Sequence, residues 1–265
     1  KAIRGCDYVF NISGVLRPKK NIREYWDVNS EGAKNVAAAC FEEKTKQLIH
    51  CSTVYVLGLP KKLPADESTE PNPFTAYDKS KLAGENSAIE TGKKGLNVTV
   101  IRPGVVYGPG DTSNYLKVFK IVESGFFPLI GSGKNIFQLV FIENLLDAFE
   151  IVMGNKKAFG KVFIVADEKM LMRDFLEKMS KIMGKKLKII VLPYWPMFLA
   201  GYFFDCLSFF SIKELPLSRS RVSFLSKDFY YSTKKIRALG WTQKTSLEEG
   251  LEKTIKWYKQ HNLLG

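Results

Sequence analysis

Tyr77 stands four residues ahead of Lys81 in the stretch TAYDKSK (75–81). On a helix, positions four apart share a face, so the phenol and the ammonium project together. A free tyrosine titrates near pH ~10, too high to trade protons at neutrality. A nearby ammonium stabilises the phenolate and brings the pair into the range of general acid–base work. The spacing alone is not specific, because Tyr230 with Lys234 and Tyr231 with Lys235 repeat it. What sets Tyr77 apart is CSTVYVLG (51–58), which follows an apolar run and opens on the hydroxyls of Ser52 and Thr53. A hydroxyl at the end of a buried strand either bonds its own backbone or holds a substrate oxygen, as oxyanion donors do. With Tyr77 following Thr53 by 24 residues, the second reading is preferred.

Other catalytic chemistries find few residues. There are two histidines, His50 and His261, which leaves almost no room for a Ser-His-Asp triad or a multi-histidine metal site. His50 lies in the apolar run QLIHC and reads as a packed strand residue. Four cysteines (Cys6, Cys40, Cys51, Cys206) stand far apart without a CxxC pair. That argues against a disulfide framework or thiolate zinc and fits a reducing, cytoplasmic compartment. The net charge of +13 raises the question of a polyanionic partner. The lysines are scattered, and no basic block is interleaved with stacking aromatics, so nucleic acid is not the expected partner.

The elements that must position Tyr77 and Thr53 follow from apolar patterning. DYVFNI (7–12), QLIHC (47–51) and LNVTVI (96–101) are short, wholly apolar runs and read as buried strands. Helical spacing of Val28, Ala33, Val36, Ala37 and Cys40 predicts a helix within 21–44, and another is predicted at 74–91. Alternating helices and apolar strands imply an α/β fold, a doubly wound parallel sheet with helices on both faces. Ligands in such sheets gather beyond the carboxyl ends of the strands. That singles out the loops 13–17, 52–58 and 103–111. Beyond Asp111, helices are predicted at 114–124, 143–153, 172–183, 216–226 and 245–260, with strands near 138–142, 161–165 and 187–191. The strongly apolar stretch 189–212 holds Pro193, Pro196 and Asp205, which disfavours a membrane-spanning helix. It reads as the buried wall of a substrate pocket or as a peripheral membrane contact.

Six segments, in order, resemble the extended short-chain dehydrogenase/reductases, the NAD-dependent epimerase/dehydratase superfamily. GCDYVFNISG (5–14) is similar to the family's fourth strand, and DVNSEGAKNV (27–36) to its Asn-Val-x-Gly-Thr-x-Asn helix. CSTVYVLG (51–58), YDKSK (77–81) and RPGVVYGPGD (102–111) are similar to its Ser-Ser/Thr strand end, its Tyr-x-x-Ser-Lys helix and its Arg-Pro…Tyr-Gly-Pro loop. YSTKKIRALGWTQKTSLEEGLEKTIKWY (231–258) is similar to its C-terminal segment. The resemblance implies a Rossmann-like domain over 1–111. It implies a mainly substrate-binding α/β region over 112–265, with some segments returning to the sheet. It implies NAD or NADP as cofactor and a homodimer.

By position, the resemblance makes Thr53 the hydroxyl that polarises the substrate oxygen, with Ser52 as its alternate. Tyr77 becomes the proton donor or acceptor. Lys81 lowers its pKa and holds the nicotinamide ribose. Ile12, Ser13 and Gly14 would line the cofactor, and Pro103, Gly104 and Val106 would lie near the nicotinamide. Ser52 and Asn29 join the cofactor-binding set, Asn29 either by contact or by bracing its helix.

Two departures stand out. Asn11 and Ser13 replace the family's usual histidine and alanine. The glycine-rich dinucleotide turn of the family is not found, as if about 60 residues preceded Lys1, so the chain as given is expected to bind cofactor weakly or not at all. On the substrate side, Phe137 stands where sugar epimerases carry a diphosphate-gripping arginine, and Asn144 where they carry a second aspartate. That pattern resembles the 3β-hydroxysteroid dehydrogenase and flavonol-reductase branch. The expectation is hydride transfer between an alcohol and a ketone on a bulky apolar substrate. A nucleotide-sugar epimerase or dehydratase is the first alternative, and a non-catalytic binding protein on the same fold the second.

Overall fold

The computed structural model describes residues 2–16, 21–112, 114–208 and 219–265. Of the segments singled out above, Arg17, 209–212 and 216–218 lie outside this set. Along the chain, β1 (Tyr8–Asn11) is followed by α1 (Arg23–Tyr25), a π-helical stretch Trp26–Gly32 and α2 (Ala33–Glu42). Next come β2 (Gln47–Cys51), α3 (Ala76–Lys93), β3 (Val98–Pro103) and β4 (Val105–Tyr107). The later part carries α4 (Asn114–Glu123), β5 (Phe126–Ile130), β6 (Ile136–Phe137), β7 (Leu139–Phe141) and α5 (Ile142–Val152). It continues with β8 (Lys161–Val165), β9 (Met170–Leu171), α6 (Met172–Ile182), β10 (Lys188–Leu192) and α7 (Tyr194–Ser208). It ends with α8 (Arg219–Ser226), α9 (Lys234–Arg237) and α10 (Leu247–Gln260). The apolar runs and helical spacings read from the sequence fall on these elements to within about two residues at most ends, the ordinary uncertainty of a helix or strand terminus.

The chain divides into two compact units. The first gathers residues 1–106, Glu143–Asp167 and Tyr231–Lys244; the second holds Tyr107–Ile142, Glu168–Tyr230 and Thr245–Gly265. In the first unit β1, β2, β3 and β8 form one parallel sheet in that order. Its strands are buried almost throughout in β2 and β3, as parallel strands sandwiched by helices require. Ala37 and Cys40 of α2 and Ala88 of α3 close on Leu48, Val98 and Val100 of the sheet. Burial of each such side chain contributes on the order of 1–3 kcal/mol. Among the described residues β1 has one neighbouring strand, and Phe10 and Ile12 at its end are exposed.

The second unit is built on aromatic packing. Phe119 and Tyr258 meet edge to face at 5.1 Å, as do Phe137 and Phe175 at 5.3 Å. Around them lie two short two-stranded sheets, β5 with β10 in parallel and β6 with β9 antiparallel.

Close approach of α3 to the π-helical stretch depends on a missing side chain. A Cβ on Gly84 would come within 2.1 Å of the Asn29 carbonyl oxygen and 3.0 Å of the Ala33 methyl. No rotamer adjustment relieves a clash with backbone. Gly84→Ala therefore forces the two elements apart, and overpacking of this kind costs about 1–3 kcal/mol. Thermal or urea unfolding of the variant should show that loss, with the midpoint falling and the slope unchanged.

Candidate functional site

All the residues singled out for chemistry belong to the first unit, at the carboxyl ends of its parallel strands. The helix that brings Tyr77 and Lys81 there is started by a capping box. Thr75 accepts from the Asp78 amide at 3.1 Å, and Asp78 accepts from the Thr75 amide at 2.9 Å. Such a cap is worth about 1 kcal/mol and fixes where the first turn begins. Tyr77 lies in that turn and Lys81 one turn later. The helix then buries Ser80, Lys81, Gly84, Glu85 and Ala88 on one face. A polar face turned inward has no apolar periodicity, and its cost is met only by specific partners.

Each buried polar group on that face has one. Lys81 Nζ donates to the Cys51 carbonyl at 2.6 Å, at the last residue of β2. Glu85 is held by Arg102 through two parallel bonds, Nη2 to Oε1 at 2.6 Å and Nε to Oε2 at 3.1 Å. The Ser52 hydroxyl also donates to Glu85. Ser80 accepts from Asn29 at 3.0 Å. Asn29, buried in the wide π-helical turn, takes both backbone groups of Val15, accepting from its amide at 2.7 Å and donating to its carbonyl at 3.0 Å. This pins the loop after β1 to α3.

Thr53 lies next to Ser52 as the cap of a short 3-10 turn (Val54–Leu57), its hydroxyl accepting from the Tyr55 amide at 3.3 Å. Because the hydroxyl accepts in this bond, its own proton is not spent on it. Gly14 lies on the other side of Lys81: a Cβ there would stand 3.4 Å from Asn29 Oδ1 and 3.8 Å from Lys81 Nζ. Ile12 and Ser13 are exposed beside it. Pro103 ends β3 opposite Val165, and Gly104 donates to the Val165 carbonyl at 2.8 Å. Val106 follows, half-buried. The structure thus gathers Gly14, Asn29, Ser52, Thr53, Tyr77 and Lys81 around the end of β2 and places Pro103, Gly104 and Val106 beyond the end of β3, its neighbour.

Three sequence expectations change in this setting. Ser52 gives its hydroxyl to Glu85, so it supports the strand end, and Thr53 carries the available hydroxyl. Asn29 spends both amide protons on Val15 and Ser80, which braces the loop after β1. The Tyr77 phenol is pushed above its ordinary pKa, first by burial and then by Cys51, Tyr55, Asp78 and Tyr25, where a lowering by Lys81 was expected. Its ring packs edge to face on Tyr25 at 5.9 Å. The Lys81 ammonium is turned to the Cys51 carbonyl, and burial lowers its own pKa, with Cys51 and Glu85 working against that.

Two residues weighed for substrate choice have partners inside their own units. Phe137 is buried in the aromatic core of the second unit. Asn144 joins two segments of the first: its side chain donates to Asp167 at 2.9 Å and accepts from the Lys244 amide at 3.2 Å, and its backbone carbonyl accepts from the Trp241 indole at 2.9 Å. Glu85 and Arg102 are the residues that sequence reasoning passed over. Their signal was a glutamate four residues beyond Lys81 on the same helical face and an arginine inside an otherwise apolar strand.

The substitution of Asn11 for a histidine has its complement in His50, directly opposite on β2: Asn11 Nδ2 donates to His50 Nδ1 at 3.2 Å. Burial, then the Lys81 charge, hold the His50 imidazole down to about 3. The folded pKa lies below the ordinary value, so the unfolded chain takes up the proton first. Stability is intact above pH ~6.5 and is lost as pH falls from there toward about 3, at up to ~1.4 kcal/mol per pH unit. Urea unfolding of wild type and His50→Gln across that window should show the variant losing less stability per pH unit.

A nicotinamide cofactor suits this arrangement. Lys81 has two further N–H donors beside its bond to Cys51, enough for a pair of ribose hydroxyls. The bare Gly14 leaves backbone open next to that ammonium. Comparison with known proteins agrees. The model of the NAD dependent epimerase/dehydratase family matches residues 1–166. The chain is 30% identical over 266 residues to N-acetyl-alpha-D-glucosaminyl-diphospho-ditrans,octacis-undecaprenol 4-epimerase of Escherichia coli O157:H7, covering 98% of this chain and 80% of that one. It is 27% identical over 275 residues to 3beta-hydroxysteroid-dehydrogenase/decarboxylase isoform 1 of Arabidopsis thaliana, spanning 96% of this chain and 63% of that protein's length. The solved UDP-glucuronic acid 4-epimerase of Bacillus cereus in complex with NAD shares the fold, with a TM-score of 0.79 at 20% identity over 98% of this chain and 76% of that one. With a capped Tyr-Lys helix beside a Thr-bearing strand end and a family model spanning more than half its length, the chain belongs to the NAD-dependent epimerase/dehydratase family of enzymes.

Proposed function

We propose that the protein moves a hydride between a nicotinamide cofactor and an oxygen-bearing carbon of a substrate with a bulky apolar part. The observation that carries this reading is the buried Lys81 ammonium on the Cys51 carbonyl, one helical turn from Tyr77 and beside Thr53 and Gly14. When bound, NAD or NADP accepts or returns the hydride. Lys81 holds the ribose and Gly14 lets it approach. Ile12, Ser13, Pro103, Gly104 and Val106 line its path. The Thr53 hydroxyl donates to the substrate oxygen. Tyr77 hands its proton to that oxygen in reduction and recovers it in oxidation. With burial favouring the neutral phenol, Tyr77 rests as the acid. A cation placed beside it lowers its pKa and readies it as the base.

For the substrate, an alcohol or ketone on a sterol-like skeleton is one form of this reading, supported by the likeness to a 3beta-hydroxysteroid dehydrogenase. The second form is a 4-epimerase of a sugar diphosphate. The undecaprenol-linked 4-epimerase favours it, being 30% identical over 98% of the chain. Both substrates are amphiphilic, and both need the same proton and hydride path. They differ in outcome, since a dehydrogenase leaves reduced cofactor behind and an epimerase returns it oxidised. The resemblance adds a homodimer, a proposal for size-exclusion analysis.

Tyr77→Phe removes the proton donor without changing the ring. Turnover should fall by about 10²–10⁴-fold. Thr53→Ala should lose about 10²-fold or more, as the loss of one oxyanion donor does. Cofactor titration by fluorescence should be little affected in either variant. Unchanged turnover in Tyr77→Phe would take the phenol out of the proton path, and a wild type that turns over neither class of substrate would move the protein to a non-catalytic role on this fold. Product analysis on sterol alcohols and on prenyl diphosphate sugars, following reduced cofactor, separates the two forms.

A further inference from the structure

In the second unit, α7 carries large apolar side chains on its outer face. Trp195, Leu199, Tyr202 and Phe203 are 70%, 66%, 52% and 62% exposed. Their spacing of four, three and one residues puts them on a single helical stripe. Val191, at the end of β10 just before the helix, is 50% exposed as well. Rings at the start of the helix hold one another in place: Tyr194 stacks on Phe198 at 5.5 Å and meets Trp195 edge to face at 5.3 Å. Gly201 is buried on the other side of the helix. Apolar patches of this kind, on the order of 400 Å² from three rings and a leucine, mark interaction sites and not ordinary surface.

The chemistry around the stripe says what it meets. From Ile189 to Phe204 there is no charged residue. The chain entering β10 carries Lys181, Lys185, Lys186 and Lys188, all exposed and in the same unit. Trp and Tyr belong to the head-group layer of a bilayer, where a ring finds both apolar and polar surroundings. Exposed lysines in the segment that leads into such a stripe are drawn to anionic lipid. No helix among the described residues is long and apolar enough to cross a membrane, so the contact is with one leaflet.

We propose that α7 is a docking face for an anionic lipid surface, with Trp195, Leu199, Tyr202 and Phe203 seated among the head groups and the lysines before β10 held at their phosphates. The face is independent of the hydride chemistry, and its test needs neither cofactor nor substrate. The full chain is sedimented with vesicles of phosphatidylcholine alone and with phosphatidylglycerol mixed in. Binding should require the anionic lipid, weaken with added salt, and be accompanied by a blue shift of tryptophan emission. Trp195→Ser combined with Leu199→Ser removes the most exposed apolar side chains of the stripe, and the variant should stay folded by far-UV circular dichroism while its vesicle affinity drops at least tenfold. Lys185→Glu combined with Lys186→Glu should lower affinity for the anionic vesicles alone. Wild type left in the supernatant, or the serine variant binding as well as wild type, overturns the proposal. So does a dimer in vesicle-free solution that the serine variant converts to monomer, which would assign the face to a second copy.

Discussion

A lysine ammonium buried at the end of a parallel strand is the constraint around which the first unit is arranged. Taking an ammonium out of water costs several kcal/mol unless fixed partners replace the lost hydration. Lys81 has the Cys51 carbonyl, and Glu85 lies one turn further along the same helix. Glu85 is in turn neutralised by Arg102 on β3 and accepts from Ser52 at the end of β2. One helix face is thereby locked to two adjacent strands through charge, at the level in the sheet where ligands collect. A buried pair of this kind adds little net stability, yet removing one partner leaves an uncompensated charge costing about 3–5 kcal/mol. Its use is positional: Thr53 and Tyr77 are held by the strand end and the helix that the pair joins.

The loop after β1 is fixed by a different device. A π-helical turn spreads the backbone enough to turn Asn29 inward, where its amide mimics a strand partner for Val15. Such turns recur at functional sites because they aim a side chain that a regular helix would not. The absence of a side chain on Gly84 lets α3 touch this turn, and the same absence on Gly14 leaves room beside Lys81. The cross-strand bond of Asn11 to His50 is part of the same economy, since a neutral imidazole next to an ammonium needs a neutral partner.

The second unit follows another logic. Its core is aromatic, and it takes in Phe137, whose side chain had been weighed as a sign of substrate choice. Its long apolar segment, read from the sequence as a pocket wall or a peripheral membrane contact, leaves four large side chains in solvent along α7. Local hydrophobicity reports that a segment avoids water, and it is silent about which surface covers it.

How much was legible in the sequence can be judged residue by residue. The parallel α/β architecture, the strand at Gln47–Cys51 and the helix bearing Tyr77 and Lys81 were set by local pattern: wholly apolar runs, helical spacing and a threonine cap. These depend on backbone geometry and on neighbours within a turn, which a linear chain displays. The partners of Lys81, Ser52 and Asn29, the upward shift of Tyr77 and the outward face of α7 were decided by tertiary structure alone. Each depends on burial and on groups distant along the chain, where desolvation and a single well-placed partner outweigh any intrinsic tendency of the residue.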